Sequence, residues 1–93
     1  MTRVGINGFG RIGRLAARAL RHHPELQLVH INEISGGAET AAHLLEFDSV
    51  HGRYPGVVSS NSDSLTVDDQ RVTFSDERYP GAIEWDRYGV DIV

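Results

Sequence analysis

The chain has 93 residues, 40% of them hydrophobic and 24% charged, which allows one modest core and is too apolar for disorder. Nine Lys and Arg against thirteen Asp and Glu leave a net charge of -4, which argues against a nucleic-acid partner; the lack of cysteine excludes disulfides, thiolate metal sites and a cysteine nucleophile within these residues. Met1 leads into Val4-Gly5-Ile6-Asn7 with no secretory leader, and no apolar run approaches the roughly 20 residues of a spanning helix, so the expectation is a soluble cytoplasmic protein with no membrane partner.

Arg3 to Asn7 reads as a short strand that Gly8-Phe9-Gly10 breaks. From Arg11 to about His22, Ile12, Leu15, Ala16, Ala19 and Leu20 recur at helical spacing, with Arg11, Arg14, Arg18 and Arg21 assigned to the other, solvated face. Pro24 stops this helix, and Leu26 to Asn32 is apolar enough for a strand buried in a parallel sheet, which completes a βαβ unit. Ser35-Gly36-Gly37 is a loop before a second helix, Ala38 to Phe47, with Ala41, Leu44, Leu45 and Phe47 on one side. From Gly56 the pattern shortens. Leu65-Thr66-Val67 and Arg71-Val72-Thr73-Phe74 flank the turn signal Asp68-Asp69-Gln70, as in a small antiparallel hairpin. Tyr79 to Trp85 is irregular, and Val90 to Val93 reads as the start of another strand.

Gly8, Gly10 and Gly13 spell G-x-G-x-x-G, a pattern that is weak alone and gains meaning from its setting. Here it follows a strand and opens a helix inside a βαβ unit, and Glu33 ends the second strand 20 residues beyond Gly13, where a ribose-binding acid is expected. Gly8 suits a tight turn, Gly10 lets a pyrophosphate approach the backbone, and Gly13 lets helix and strand pack closely. The amides of Arg11 and Ile12 lie in the first turn, where N–H groups lack partners inside the helix and the dipole favours an anion. The fold class read from this is α/β: the N-terminal part of a Rossmann-type parallel sheet, with a small antiparallel hairpin insertion. His22, His23, His30, His43 and His51 show no metal-ligand spacing, so they read as surface or packing residues and no metal is expected.

The run Val4-Gly5-Ile6-Asn7-Gly8-Phe9-Gly10-Arg11-Ile12-Gly13-Arg14 resembles the opening of the glyceraldehyde-3-phosphate dehydrogenase family. The likeness continues through Ile31-Asn32, through Phe47 to Arg53, and through Glu77-Arg78 and Ile83-Glu84-Trp85. It implies that residues 1–93 form the N-terminal part of a dinucleotide-binding domain, with the rest of that domain and the catalytic domain outside this chain. It implies NAD as cofactor, with Arg11 and Ile12 at the pyrophosphate, Glu33 at the adenosine ribose and Arg78 at the adenine end. Asn7, Gly8, Gly10, Gly13 and Asn32 complete the candidate cofactor-binding set. The complete protein is expected to oxidise a phosphorylated sugar aldehyde, its small-molecule substrate, with hydride transfer to NAD, and to assemble as a homotetramer. Asn32-Glu33 departs from the Asn-Asp of glycolytic members and is similar to erythrose-4-phosphate dehydrogenases, while Ala42 to Arg53 resembles members linked to arsenate detoxification. The remaining alternative is a non-catalytic nucleotide-binding module.

Overall fold

The computed structural model describes residues 1–34, 36–48, 52–53, 58–61, 64–68 and 70–93. Ser35, Ser49 to His51 and Asp69, which the sequence reading touched, lie outside the described residues. The elements in chain order are β1 (Thr2–Asn7), α1 (Arg11–Leu20), β2 (Leu26–Asn32), α2 (Gly37–Glu46), β3 (Phe47–Asp48), β4 (Gly52–Arg53), β5 (Val58–Ser60), β6 (Ser64–Val67) and β7 (Gln70–Ser75). Of two 3-10 turns, Pro80–Ala82 falls within the segment read as irregular and Trp85–Tyr88 begins at its last residue.

Among the described residues one sheet has the strand order β1-β2-β7-β6-β5, and β3 pairs with β4 separately. β1, β2 and β7 are parallel, whereas β7-β6 and β6-β5 are antiparallel. The expected hairpin is therefore present, and its second strand is also the third parallel strand of the sheet, with His30 opposite Thr73 and Asn32 opposite Ser75. At its tip Asp68 takes φ 51, a left-handed conformation that aspartate tolerates better than most side chains. Beyond the other edge, the strand expected at Val90 to Val93 is present as a single parallel bridge from Val4 to Ile92.

Both helices lie on one face of the sheet. Between them and the strands, Phe9, Ala17, Ile31, Ala41, Leu45, Leu65 and Val72 form the buried core, with Leu28 packed against it. Residues three apart on a regular strand face opposite ways; the register shift between Val4 and Gly5 breaks that alternation and brings Leu28 and Ile31 to the same core. His30 is fully buried on the other face, stacked on Tyr88 with ring centroids 3.7 Å apart and edge-on to Trp85 at 5.5 Å.

The face assignment of α1 is corrected by the structure. Ile12 is 77% exposed and Leu15 43% exposed, and Ala16 and Ala19 are exposed as well, while Ala17 is buried and Arg14 and Arg18 are half-buried. Small Gly13 and Ala17 let the helix sit close to the sheet. The two arginines lay their apolar stems along the protein and carry their guanidinium groups to backbone carbonyls: Arg14 donates to Phe9 at 3.1 Å and Arg18 to Leu45 at 2.6 Å. In α2 the buried residues are Ala38, Ala41, Ala42 and Leu45, so Leu44 and Phe47, both expected inside, are instead 37% and 49% exposed. The alanines carry the contact because α2 packs tightly over the sheet.

Candidate functional site

The carboxyl ends of the three parallel strands bring Asn7, Asn32 and Ser75 to one edge of the sheet. In an open α/β sheet this edge is where ligands bind. The chain leaves β1 through Gly8, whose N–H donates to the Asn32 carbonyl at 2.7 Å and whose φ of 93 suits glycine. Phe9 is 2% exposed and anchors the loop in the core. A Cβ on Gly13 would collide with the Gly8 carbonyl oxygen, which explains why the first turn of α1 needs no side chain there. A Cβ on Gly10 would meet nothing within 4 Å.

α1 begins at Arg11 with Gly10 as its cap, no capping side chain and no acidic residue in its first turn. The positive end of the helix thus faces the loop, and no side chain of its own first turn caps the exposed amides. Glu33 follows β2; its N–H donates to the Ser75 carbonyl at 2.9 Å, and its Oε1 accepts the Phe9 N–H at 2.7 Å. Loop and carboxylate are thereby fixed relative to each other. Arg14, on the opposite side of Phe9, holds its carbonyl, so both backbone groups of this loop residue are bonded by side chains. A cleft of about 260 Å³ opens between Phe9, Gly10, Arg14, Glu33, Thr40 and Leu44. A larger hollow of about 500 Å³, walled by Ala17, Leu20, Leu28, Leu45 and Val72, lies away from the strand ends and contains none of the candidate residues.

Asn32 is 2% exposed and ties the edge together. Its Nδ2 donates to Asn7 Oδ1 at 3.2 Å and to the Glu77 carbonyl at 3.0 Å; its Oδ1 accepts from the Ser75 hydroxyl at 2.7 Å and from the Glu77 N–H at 2.9 Å. Arg78 comes next in the chain and is exposed. The structure therefore gathers Asn7, Gly8, Gly10, Arg11, Gly13, Asn32 and Glu33 around one loop. Ile12 sits in the same first turn with its side chain outside, and exposed Arg78 is placed nearby through its neighbour Glu77, which is bonded to Asn32.

The sequence reading missed Arg14, taken for a solvated residue, and it missed Ser75 and His30. Ser75 was hidden because its strand was read as an insertion; assigning β7 to the parallel sheet would have put Ser75 beside Asn32. Of the histidines, His30 is buried, and burial pushes its pKa down to about 4. Among the described residues no group of three His, Cys, Asp or Glu side chains could hold a metal ion.

These residues fit a dinucleotide. The space that a Cβ on Gly10 would enter is open and wide enough to admit a phosphate, the helix start offers amide donors beside it, and the Glu33 carboxylate is held at the strand end against the loop, where a ribose hydroxyl could reach it.

Comparison with known proteins agrees with the geometry. Residues 2–93 match the family model described as glyceraldehyde 3-phosphate dehydrogenase, NAD binding domain. Glyceraldehyde-3-phosphate dehydrogenase 3 of Nostoc sp. is 54% identical over 91 residues, which is 98% of this chain and 27% of that protein. Glyceraldehyde-3-phosphate dehydrogenase of Geobacillus stearothermophilus is 46% identical over 91 residues, with the same shares, and that of Ajellomyces capsulatus is 43% identical over 93 residues, all of this chain and 28% of that protein. The chain spans a little over a quarter of the length of these relatives, and no helix among the described residues is long and apolar enough to cross a membrane. By this match, and by a glycine loop set against a strand-end acid, the chain belongs to the glyceraldehyde-3-phosphate dehydrogenase family, in its NAD-binding domain.

Proposed function

We propose that the chain supplies the adenosine-diphosphate half of the NAD site in an oxidoreductase that oxidises a phosphorylated sugar aldehyde, glyceraldehyde 3-phosphate first among them. The relatives named above carry that enzyme's name, and the bond from Phe9 to Glu33 Oε1 carries the argument in this chain, because it fixes the carboxylate against the glycine loop. When bound, NAD supplies the hydride acceptor. The residues of this chain bind and orient it: the Arg11 and Ile12 amides face the pyrophosphate, Glu33 accepts hydrogen bonds from the adenosine ribose, and Arg78 lies at the adenine end. Asn7 and Asn32 shape the floor, Gly8 makes the turn, Gly10 leaves the backbone accessible, and Gly13 lets the helix pack against that turn. The complete enzyme works in the cytoplasm as a homotetramer; the name of a cytosolic Leishmania mexicana relative and the resemblance itself support this reading.

A carboxylate at the ribose repels the 2′-phosphate of NADP, so NAD is preferred. Glu33→Gln is the sharpest test, since glutamine keeps an acceptor for the Phe9 N–H while removing the charge. Hydrogen bonds to charged groups contribute roughly 1.5–3 kcal/mol against about 1 for neutral ones, so kcat/KM for NAD in the complete protein should fall about tenfold. The preference for NAD over NADP should narrow at the same time. An unchanged preference would remove Glu33 from the ribose site.

A further inference from the structure

The hydrogen bonds behind the cleft have a direction that can be worked out atom by atom. The Glu77 N–H can only donate and lies 2.9 Å from Asn32 Oδ1, and the Glu77 carbonyl can only accept and lies 3.0 Å from Asn32 Nδ2. This backbone pair fixes which way the Asn32 carboxamide points. A flipped amide would set donor against donor and acceptor against acceptor.

With Oδ1 an acceptor, the Ser75 hydroxyl at 2.7 Å must give it its one proton. Ser75 Oγ can then only accept from His30 Nε2, 2.8 Å away, so the imidazole carries its proton on Nε2. Burial holds His30 neutral at neutral pH, which leaves Nδ1 to accept from the Thr73 hydroxyl at 2.6 Å, in preference to that hydroxyl's longer bond of 3.1 Å to the Val29 carbonyl. Protons therefore point one way through four residues, from Thr73 to His30 to Ser75 to Asn32. The series ends on Asn7 and on the backbone of Glu77, one residue before Arg78.

We propose that His30 and Ser75 are positioning residues for the adenosine half of the NAD site: they lock the Asn32 carboxamide, and through it Asn7 and the Glu77-Arg78 loop, in the arrangement that receives the cofactor. This rests on the NAD-site reading above. A buried polar series could serve stability alone, and packed apolar side chains would do so without the cost of desolvating an imidazole, two hydroxyls and an amide. What apolar packing lacks is direction. The series runs from the face covered by Trp85 and Tyr88 to the strand ends at the cleft, and only at that end does it hold residues proposed to meet cofactor.

The test uses the complete protein with Ser75→Ala, Ser75→Thr and His30→Phe, the last retaining a ring to stack on Tyr88. The readouts are kcat, KM for NAD, the Kd of ADP-ribose by calorimetry, and amide exchange of Glu77. In Ser75→Ala and His30→Phe, KM for NAD and the Kd of ADP-ribose should each rise about fivefold, the effect of one lost hydrogen bond, with kcat within about twofold of the parent and faster exchange at Glu77. Ser75→Thr, which keeps the hydroxyl, should restore parent values. Should Ser75→Ala not fold, His30→Phe carries the test of the series. Parent-like ADP-ribose affinity in either folded variant overturns the role of that residue, even where its melting temperature has dropped. A parent protein that binds neither NAD nor ADP-ribose would instead overturn the proposed function.

Discussion

At Gly13 an added methyl group would run into the Gly8 carbonyl oxygen and come within 3.2 Å of Ile6 Cγ2, so Gly13→Ala must push α1 away from the turn it packs on. Forcing such a group into a packed contact costs about 1–3 kcal/mol, and a urea titration of the variant should show its midpoint lowered accordingly. Gly10 is the opposite case. Its φ of -75 is open to any residue and nothing lies within 4 Å of a Cβ there, so Gly10→Val should keep the parent's unfolding midpoint while abolishing NAD binding in calorimetry of the complete protein. Equal affinity in that variant would put the pyrophosphate elsewhere. The spacing of three glycines was enough to read the turn at Gly8 and the packing contact at Gly13, because both follow from the geometry of a strand-to-helix connection, and Gly10 has the open space that its proposed role requires. Arg14 was not legible in the same way, since nothing in the sequence says that its guanidinium folds back onto the carbonyl of Phe9.

The two helices show why periodicity alone misplaces a face. Reading Ile12, Leu15, Ala16 and Ala19 as the inner stripe assumes that the larger apolar side chains point to the core; here closeness of approach decides, and Gly13 and Ala17 face inward with arginine stems beside them. Arg18 closes this arrangement by donating to the Leu45 carbonyl in the last turn of α2, where helix carbonyls lack partners of their own. Arg18→Ala removes that donor and the packing of the stem, and should lower stability by roughly 1.5–3 kcal/mol, seen as a lower unfolding midpoint. Arg18→Lys keeps a donor without the fork and is expected to fall between the two. An alanine variant as stable as the parent would show that the α1–α2 contact does not depend on this bond. Strand β7 was read correctly as half of a hairpin, yet its second partner, β2, is 43 residues distant at His30 and Thr73, a separation that local patterns do not reach.

Across the whole molecule, β2 hides a titratable group between its neighbours β1 and β7. His30 has its folded pKa pushed down to about 4 by burial, against an ordinary value of 6.5, so folding favours the neutral ring. The resulting stability is fully present above pH 6.5 and is lost as pH falls toward 4, by an amount on the order of 3 kcal/mol at the acid end. Urea midpoints between pH 7 and pH 4 should fall in the parent and fall less in His30→Gln; parallel curves would show that other groups set the acid limb. The α/β class and the position of the cofactor loop were legible because both follow from a local βαβ pattern, whereas the burial of His30 depends on Tyr88, far along the chain. The double membership of β7 also bears on how the chain assembles. Closing a loop costs more chain entropy as it lengthens, so β6 and β7, joined by a short turn, should pair first; β1 with β2, and β2 with β7, wait for more distant encounters. Pulse-labelled hydrogen exchange during refolding should accordingly protect the Val72 amide before that of Gly8, whose partner is the Asn32 carbonyl. Because the edge that carries Asn7, Asn32 and Ser75 is made from the ends of β1, β2 and β7 together, the capacity to hold a nucleotide should be the last property the chain acquires on the way to its native state.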